Sequence, residues 1–265
     1  MLMALLKGKL SREQENMEDI LTSTVFGLLK YEERISQEAA LLPFLRRAET
    51  LDGDHPLAVP VGTRTGYGGR PGYEFWPGWK EDLCAFCEPD VVLRLVGPDG
   101  SRKLVSVEAK FRSGISSQAD DIDETPPAHQ LAREWDNLFR RAETEAAVPV
   151  LVYLTAYFGI PHATIEGAQA ELAAKGRPKG TIAWLSWRHL DTALASSEDA
   201  MLVDLRESLR RLDLSFFNGV PVISAVTPIT WSFGRCAESR FRWAVSPVSV
   251  YWSFRPQRGL EGGAS

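Results

Sequence analysis

Three residues whose side chains suit phosphate chemistry lie on either side of one short turn. Asp90 begins an apolar run, and Glu108 and Lys110 end a second apolar run that follows a Gly-Pro-Asp-Gly turn. Two carboxylates held close together repel each other, and a hard cation such as Mg²⁺, or Mn²⁺ in its place, relieves that repulsion. A bound cation lowers the pKa of its water, and a nearby ammonium stabilises charge on a transferring phosphate. The three residues therefore predict metal-dependent hydrolysis of a phosphodiester.

A β-hairpin must position these side chains. The apolar runs predict strands over 90–96 and 103–111. Because strand side chains alternate between two faces, Glu108 and Lys110 share one face of the second strand. The opposite face is wholly apolar and is expected to pack on the core; it carries Val105, Val107, Ala109 and Phe111. The turn places Asp90 across the ladder from Glu108 and Lys110, with a register that a slip of one residue would change.

Strands and helices alternate through the surrounding sequence. Apolar residues recur at helical spacing over 17–29, before the hairpin, and a helix is expected over 125–146 after it. A strand over 148–155, a helix over 163–175 and a strand over 181–187 follow. This order predicts an α/β fold with a central mixed β-sheet flanked by helices.

The chain is expected to form a core domain and an extension. The alternating elements occupy residues 1–195, and residues 196–265 read as a C-terminal extension packed on that core. The extension begins with an apolar-periodic helix over 196–214 and continues as an aromatic-rich tail.

The hairpin resembles the active-site hairpin of the PD-(D/E)XK, or restriction-endonuclease-like, nuclease superfamily. The residues that carry the resemblance are Pro89-Asp90 and Glu108-Ala109-Lys110, and the order of elements extends it over about residues 10–190. The resemblance implies a restriction-endonuclease-like core and a Mg²⁺-dependent endonuclease that acts on DNA, in bacterial defence or restriction. It further implies that Asp90, Glu108 and the Ala109 carbonyl bind metal, and that Lys110 is the catalytic lysine.

Further site residues follow from the same resemblance. Many members add an acidic residue from the helix before the sheet, for which Glu18 is the candidate, and some place a glutamine on the helix after the lysine strand, for which Gln130 is the candidate. Arg133, one turn beyond Gln130, and Arg70, in a glycine-rich loop, are candidate contacts to the DNA backbone.

Simpler interpretations stand beside each of these assignments. Glu108 and Lys110 suit an ordinary solvated pair on a surface strand, and Glu18 suits a solvent-facing carboxylate near a helix N-terminus. Gln130 suits an exposed first-turn residue, and Arg133 suits a solvated helix face paired with Glu134 and Glu143.

Composition leaves a second class of function open. The chain has 265 residues, with 30 lysines and arginines against 35 aspartates and glutamates, for a net charge of −5. A nucleic-acid-binding surface is usually basic, so this balance favours a non-catalytic nuclease-fold subunit or interaction module of a larger complex. A hydrolase of small phosphoesters is a third alternative. Homodimerisation and recruitment by a partner subunit of a defence complex both remain open.

Cysteine usage and hydropathy indicate the compartment. The three cysteines form no even disulfide framework, which favours a reducing cytoplasm, and no apolar run of eighteen residues predicts a membrane span. The Cys84-x-x-Cys87 spacing suits two ligands of a zinc site, but a structural site needs four, so two buried thiols are the favoured interpretation.

Overall fold

The computed structural model describes residues 16–32, 40–111 and 127–216, together with strand residues 244–245 and 250–251. The chain divides into two compact units, residues 1–216 and 217–265.

One mixed sheet organises the first unit. Its six strands are β1 (Arg64–Thr65), β2 (Tyr73–Phe75), β3 (Val91–Val96), β4 (Arg102–Ala109), β5 (Val148–Thr155) and β6 (Ile182–Ser186). The order across the sheet is β1-β3-β4-β5-β6, and β2 also pairs with β3. The pairs that involve β3 are antiparallel, whereas β4, β5 and β6 run parallel.

Chain connections explain the two kinds of pairing. A tight turn joins β3 to β4, in which the Gly97 amide donates to the Ser101 carbonyl at 2.8 Å and Gly100 adopts a φ of +81° that favours glycine. The parallel strands are joined by helical crossovers, and this arrangement buries both faces of the sheet. The apolar runs of β3, β5 and β6 agree with that burial.

Helices cover both faces of the sheet. Their bounds are α1 (Asn16–Glu32), α2 (Leu41–Leu45), α3 (Gln130–Glu145), α4 (His162–Ala174), α5 (Arg188–Ala193) and α6 (Ala200–Arg211). The core on one face joins α1, α2, α5 and α6 to β4 residues such as Val105 and Val107. The core on the other face joins α3 and α4 to Leu104. The coarse prediction of an α/β fold with a mixed sheet flanked by helices is confirmed.

Helix α3 shows how the sequence attaches a helix to the sheet. Leu131, Trp135, Leu138 and Ala142 recur at steps of three and four and form one buried stripe. The helix ends where Ala146 adopts a left-handed φ of +49°, and the Ala147 amide then donates to the Ala142 carbonyl at 2.9 Å. The helix begins at Gln130, later than the sequence predicts, and residues 125–126 lie outside the described range.

A buried ion pair connects the far end of α3 to the middle of the sheet. Arg94 of β3 is 1% exposed and donates from Nε and Nη2 to the two oxygens of Glu145, each at 3.0 Å. The Tyr67 hydroxyl donates to Glu145 at 3.0 Å, and Arg94 Nη1 reaches Glu74 at 3.0 Å. All five donors of a guanidinium need partners when buried, and these acceptors supply most of them.

The second unit is described only at one short hairpin. It consists of β7 (Ala244–Val245) paired antiparallel with β8 (Val250–Tyr251). Helix α6, expected from the sequence to begin the extension, belongs to the first unit and packs on α5 and α1. The rest of the aromatic-rich tail lies outside the described residues. Among the helices that the structure describes, none has the length and apolar character needed to cross a bilayer.

Candidate active site

The register of the β3–β4 hairpin brings the two predicted carboxylates together. Val91 pairs with Val107, so Asp90, immediately before β3, lies across from Glu108. Both belong to the face of the sheet that α3 covers, and they are 8% and 2% exposed. The β4 face that carries Glu108 is therefore as deeply buried as the wholly apolar face behind it.

Backbone and side-chain donors fix the Asp90 carboxylate. Trp76 Nε1 donates to Oδ1 at 3.0 Å, and the Ala109 amide donates to Oδ2 at 2.8 Å. The Trp76 amide also donates to the Asp90 carbonyl at 3.1 Å. Trp76 holds a φ of +44°, which is rare for a residue with a side chain. A strained residue beside a buried carboxylate is typical of a site whose geometry is imposed by its surroundings.

Lys110 lies between two carboxylates from different elements. Its Nζ is 2.6 Å from Glu108 Oε1 and 3.3 Å from Glu18 Oε1, and the Phe111 amide donates to Glu18 Oε2 at 2.9 Å. Burial opposes the charged ammonium, but the charges of Glu108 and Glu18 outweigh it and raise the pKa of Lys110. Lys110 therefore stays protonated, and α1 is tied to the end of β4.

Gln130, at the start of α3, points into the same cluster. Its Nε2 donates to Glu108 Oε1 at 2.5 Å and to Glu134 Oε1 at 3.3 Å. These contacts replace the simpler interpretation of an exposed first-turn residue.

Glu134 also belongs to this cluster, although the sequence did not predict it as a site residue. It is 1% exposed, and its Oε2 has no hydrogen-bond partner among the described residues. The simpler interpretation of the sequence placed it on a solvated face, paired with Arg133. The overlooked signal is its spacing, because Glu134 lies three residues after Leu131 and four before Leu138, on the buried stripe of α3.

Burial and mutual repulsion hold these acids closer to neutrality than usual. Burial raises the pKa of Asp90 well above its ordinary range, and the charge of Glu108 adds to the rise. Burial and the neighbouring Glu134 likewise raise the pKa of Glu108. Burial raises the pKa of Glu134 to about 7. Four carboxyl groups surround one ammonium, so the cluster lacks positive charge and must bind protons or a cation.

The two candidate DNA-contacting arginines lie near opposite ends of α3. Arg133 donates to the Ala128 carbonyl at the start of α3. Arg70 pairs with Glu145 at 3.4 Å, at the opposite end of α3 from Gln130. A helix of this length separates its ends by about 20 Å, so the structure does not bring Arg70 to the carboxylate cluster.

The donor set is smaller than that of a complete protein metal cage. Among the described residues, no group of three or more His, Cys, Asp or Glu side chains is arranged to hold a metal ion. Cys84 and Cys87 are free, buried thiols, as the sequence favours. Mg²⁺, however, is usually held by one or two carboxylates, with waters and substrate phosphates completing its shell. The carboxylates of Asp90 and Glu108 lie across the hairpin from each other, in a cluster short of positive charge, and fit that mode. Binding of the ion by the Ala109 carbonyl stays a prediction.

No family model, curated protein or solved structure matches the chain. The function of the site is therefore inferred from its own chemistry.

Proposed function

We propose that this protein is a divalent-metal-dependent endonuclease with a restriction-endonuclease-like core, and that DNA is its substrate. The observation that carries the proposal is the convergence of Asp90, Glu108 and Lys110 at one end of a buried hairpin. A structural role alone gives no reason to bury several acids around a single ammonium, because each buried charge costs free energy.

Each side chain has a task in phosphodiester hydrolysis. Asp90 and Glu108 would hold Mg²⁺ or Mn²⁺, which when bound supplies charge neutralisation and a water of lowered pKa. Lys110, kept protonated by Glu108 and Glu18, would stabilise the negative charge that develops as water attacks phosphorus. Gln130 and Glu18 would orient Glu108 and Lys110 through the hydrogen bonds that they already make.

Cleavage of supercoiled plasmid tests this proposal. We expect nicking with Mg²⁺ or Mn²⁺ and none in EDTA. Lys110→Ala and Glu108→Gln should each lower the cleavage rate by at least about 100-fold, because a preorganised charge that acts on the transition state is typically worth that much. Asp52→Asn is the matched control, since Asp52 is an exposed acid paired with the exposed Lys179. Plasmid cleavage that survives both site substitutions, with the variants folded, would refute the assignment.

The competing function is a nuclease-fold subunit without catalysis, which the net charge of −5 favours. The same assay separates the two, because such a subunit would bind DNA or a partner protein and leave the plasmid intact at every metal concentration. A defence or restriction role follows only from the superfamily resemblance and is part of the same proposal.

A further inference from the structure

Two exposed aromatic residues follow the strand next to the catalytic hairpin. Tyr157 and Phe158 lie in the loop after β5 and are 50% and 69% exposed. Two neighbouring exposed rings form a contiguous apolar surface, and such surfaces can mark a binding site. The loop leaves the sheet at the edge where β4 ends, because β4 and β5 are parallel and the Lys110 amide donates to the Leu154 carbonyl at 2.7 Å.

The Phe158 ring is held in place from behind. The Arg188 guanidinium lies 3.8 Å from the ring centroid, and Arg188 itself is only 9% exposed. Arg188 Nε donates to the Ala156 carbonyl at 3.2 Å, and its Nη1 donates to the Ser215 carbonyl at 2.8 Å. One face of the ring therefore rests on a fixed cation and the other faces solvent. A ring fixed in this way loses little conformational freedom when a second flat group stacks on it.

The pair lies within reach of the carboxylate cluster. Tyr153 pairs with Glu108 in the ladder, and β5 ends two residues later at Thr155, directly before this loop. Tyr157 follows Leu154 by three residues, so their Cα atoms are at most about 10 Å apart. A nucleotide whose phosphate lay at Lys110 would have its neighbours close to this loop.

We infer that Tyr157 and Phe158 form a stacking surface for unpaired bases, so that the substrate is single-stranded nucleic acid or an unpaired segment of it. This inference rests on the proposed nuclease function and specifies its substrate class. An exposed ring face accepts a base only when that base is not already stacked in a helix.

The charges of the site agree with a stacking mode of binding. Duplex binding relies mainly on lysine and arginine contacts to phosphates. Among the described residues nearest the cluster, Lys110 is engaged by Glu108 and Glu18, and Arg133 donates to a backbone carbonyl. Stacking on aromatic rings adds affinity for each base to the phosphate contacts that a single strand makes.

Fluorescence anisotropy with labelled oligonucleotides tests the inference. Binding is measured in the Glu108→Gln background with oligo(dT), oligo(U) and a blunt DNA duplex as probes. We expect the single strands to bind more tightly than the duplex. Phe158→Leu should weaken single-strand binding roughly ten-fold, because it removes a stacking ring. Leucine keeps Arg188 covered, so the variant exposes no new cation. Tyr157→Ala should weaken binding in the same direction, and Phe158→Trp should preserve it.

Val148→Ala is the matched control, since Val148 is 55% exposed at the opposite end of β5. Tighter binding of the duplex, an equal loss for duplex and single strands, or unchanged single-strand binding by the Phe158→Leu and Tyr157→Ala variants would each overturn the inference. Oligo(dT) against oligo(U) distinguishes a DNA from an RNA substrate.

Failure of the stacking surface is distinguishable from failure of the nuclease assignment. Lys110-dependent plasmid cleavage together with Phe158-independent oligonucleotide binding overturns only the stacking surface. Phe158-dependent oligonucleotide binding without metal-dependent cleavage of either the plasmid or the single-stranded oligonucleotides by the wild-type protein supports the surface and overturns catalysis.

Discussion

At the level of single residues, the buried carboxyl of Glu134 is incompletely hydrogen-bonded. Its Oε1 accepts a hydrogen bond from Gln130 at 3.3 Å, while its Oε2 has no partner among the described residues. A buried carboxylate without full hydrogen bonding favours its neutral form. Its protonation therefore links the stability of the protein to pH.

Glu134→Gln should flatten the pH dependence of the protein's stability. In the folded protein the Glu134 carboxyl keeps its proton up to about pH 7, whereas in the unfolded chain it ionises near pH 4.5. The folded state binds more protons in this window, so the free energy of unfolding falls as pH rises from about 4.5 to 7, by on the order of 3 kcal/mol, and glutamine removes the contribution.

Denaturant unfolding in EDTA at pH 5 and pH 8 measures the effect. Glu143→Gln, on the exposed side of the same helix, is the control and should keep the wild-type slope. A Glu134→Gln variant with the wild-type pH dependence would contradict the assignment.

At the level of elements, the Arg94–Glu145 pair fastens α3 to the sheet. Arg94 lies in the middle of β3 and Glu145 at the last residue of α3, and both side chains are almost fully buried. Because Gln130 and Glu134 lie on the same helix, this pair also fixes the element that presents them to Glu108.

Arg94→Leu should destabilise the fold by about 3–5 kcal/mol, because it leaves the buried Glu145 carboxylate with only the Tyr67 hydroxyl and the half-exposed Arg70 as partners. The double variant Arg94→Leu/Glu145→Leu should cost less than the single one, since it removes the uncompensated charge. Lys179→Ala, which breaks a pair whose side chains are 80% and 71% exposed, should cost under about 1 kcal/mol. Urea unfolding of the four proteins checks the order; a double variant that costs more than Arg94→Leu alone would argue against coupling.

The hairpin was predictable from sequence because two apolar runs and a glycine-containing turn leave one reasonable pairing. The strand over 148–155 matches β5 for the same reason, since its length and apolarity suit only a buried strand. The burial of Glu134 was not predicted, because its charge and the adjacent Arg133 indicated a solvated position. Its place on the apolar stripe of α3 indicated burial instead. The contact between Glu18 and Lys110 joins elements about ninety residues apart, and no local pattern encodes which turn of α1 meets β4.

At the level of the whole molecule, the boundary between the units lies after Phe216. The carbonyls of Asp213 and Ser215 accept hydrogen bonds from Arg188, and the Asp199 carboxylate caps α6 by accepting from the Met201 amide at 2.9 Å. Residues 196–216 are therefore integrated with the first unit.

A chain that ends at Phe216 should fold cooperatively, whereas one that ends at Ala195 should not. The shorter chain lacks α6, whose buried Leu202, Leu205 and Leu209 pack in the core, and loses the acceptors of Arg188. Circular dichroism melting and limited proteolysis compare the two. Equal stability of both chains would place the boundary at residue 195, as the sequence first suggested.

Anchoring of Asp90 on both oxygens has a consequence for ion choice. One anchor is the Ala109 amide, so the main chain of β4 sets the position of the Asp90 carboxylate. Calcium takes about six to eight oxygens in a flexible geometry, whereas the smaller magnesium needs a near-octahedral arrangement and keeps several of its waters. In the proposed metal site, an Asp90 carboxylate held by the main chain would therefore favour the smaller of the two ions.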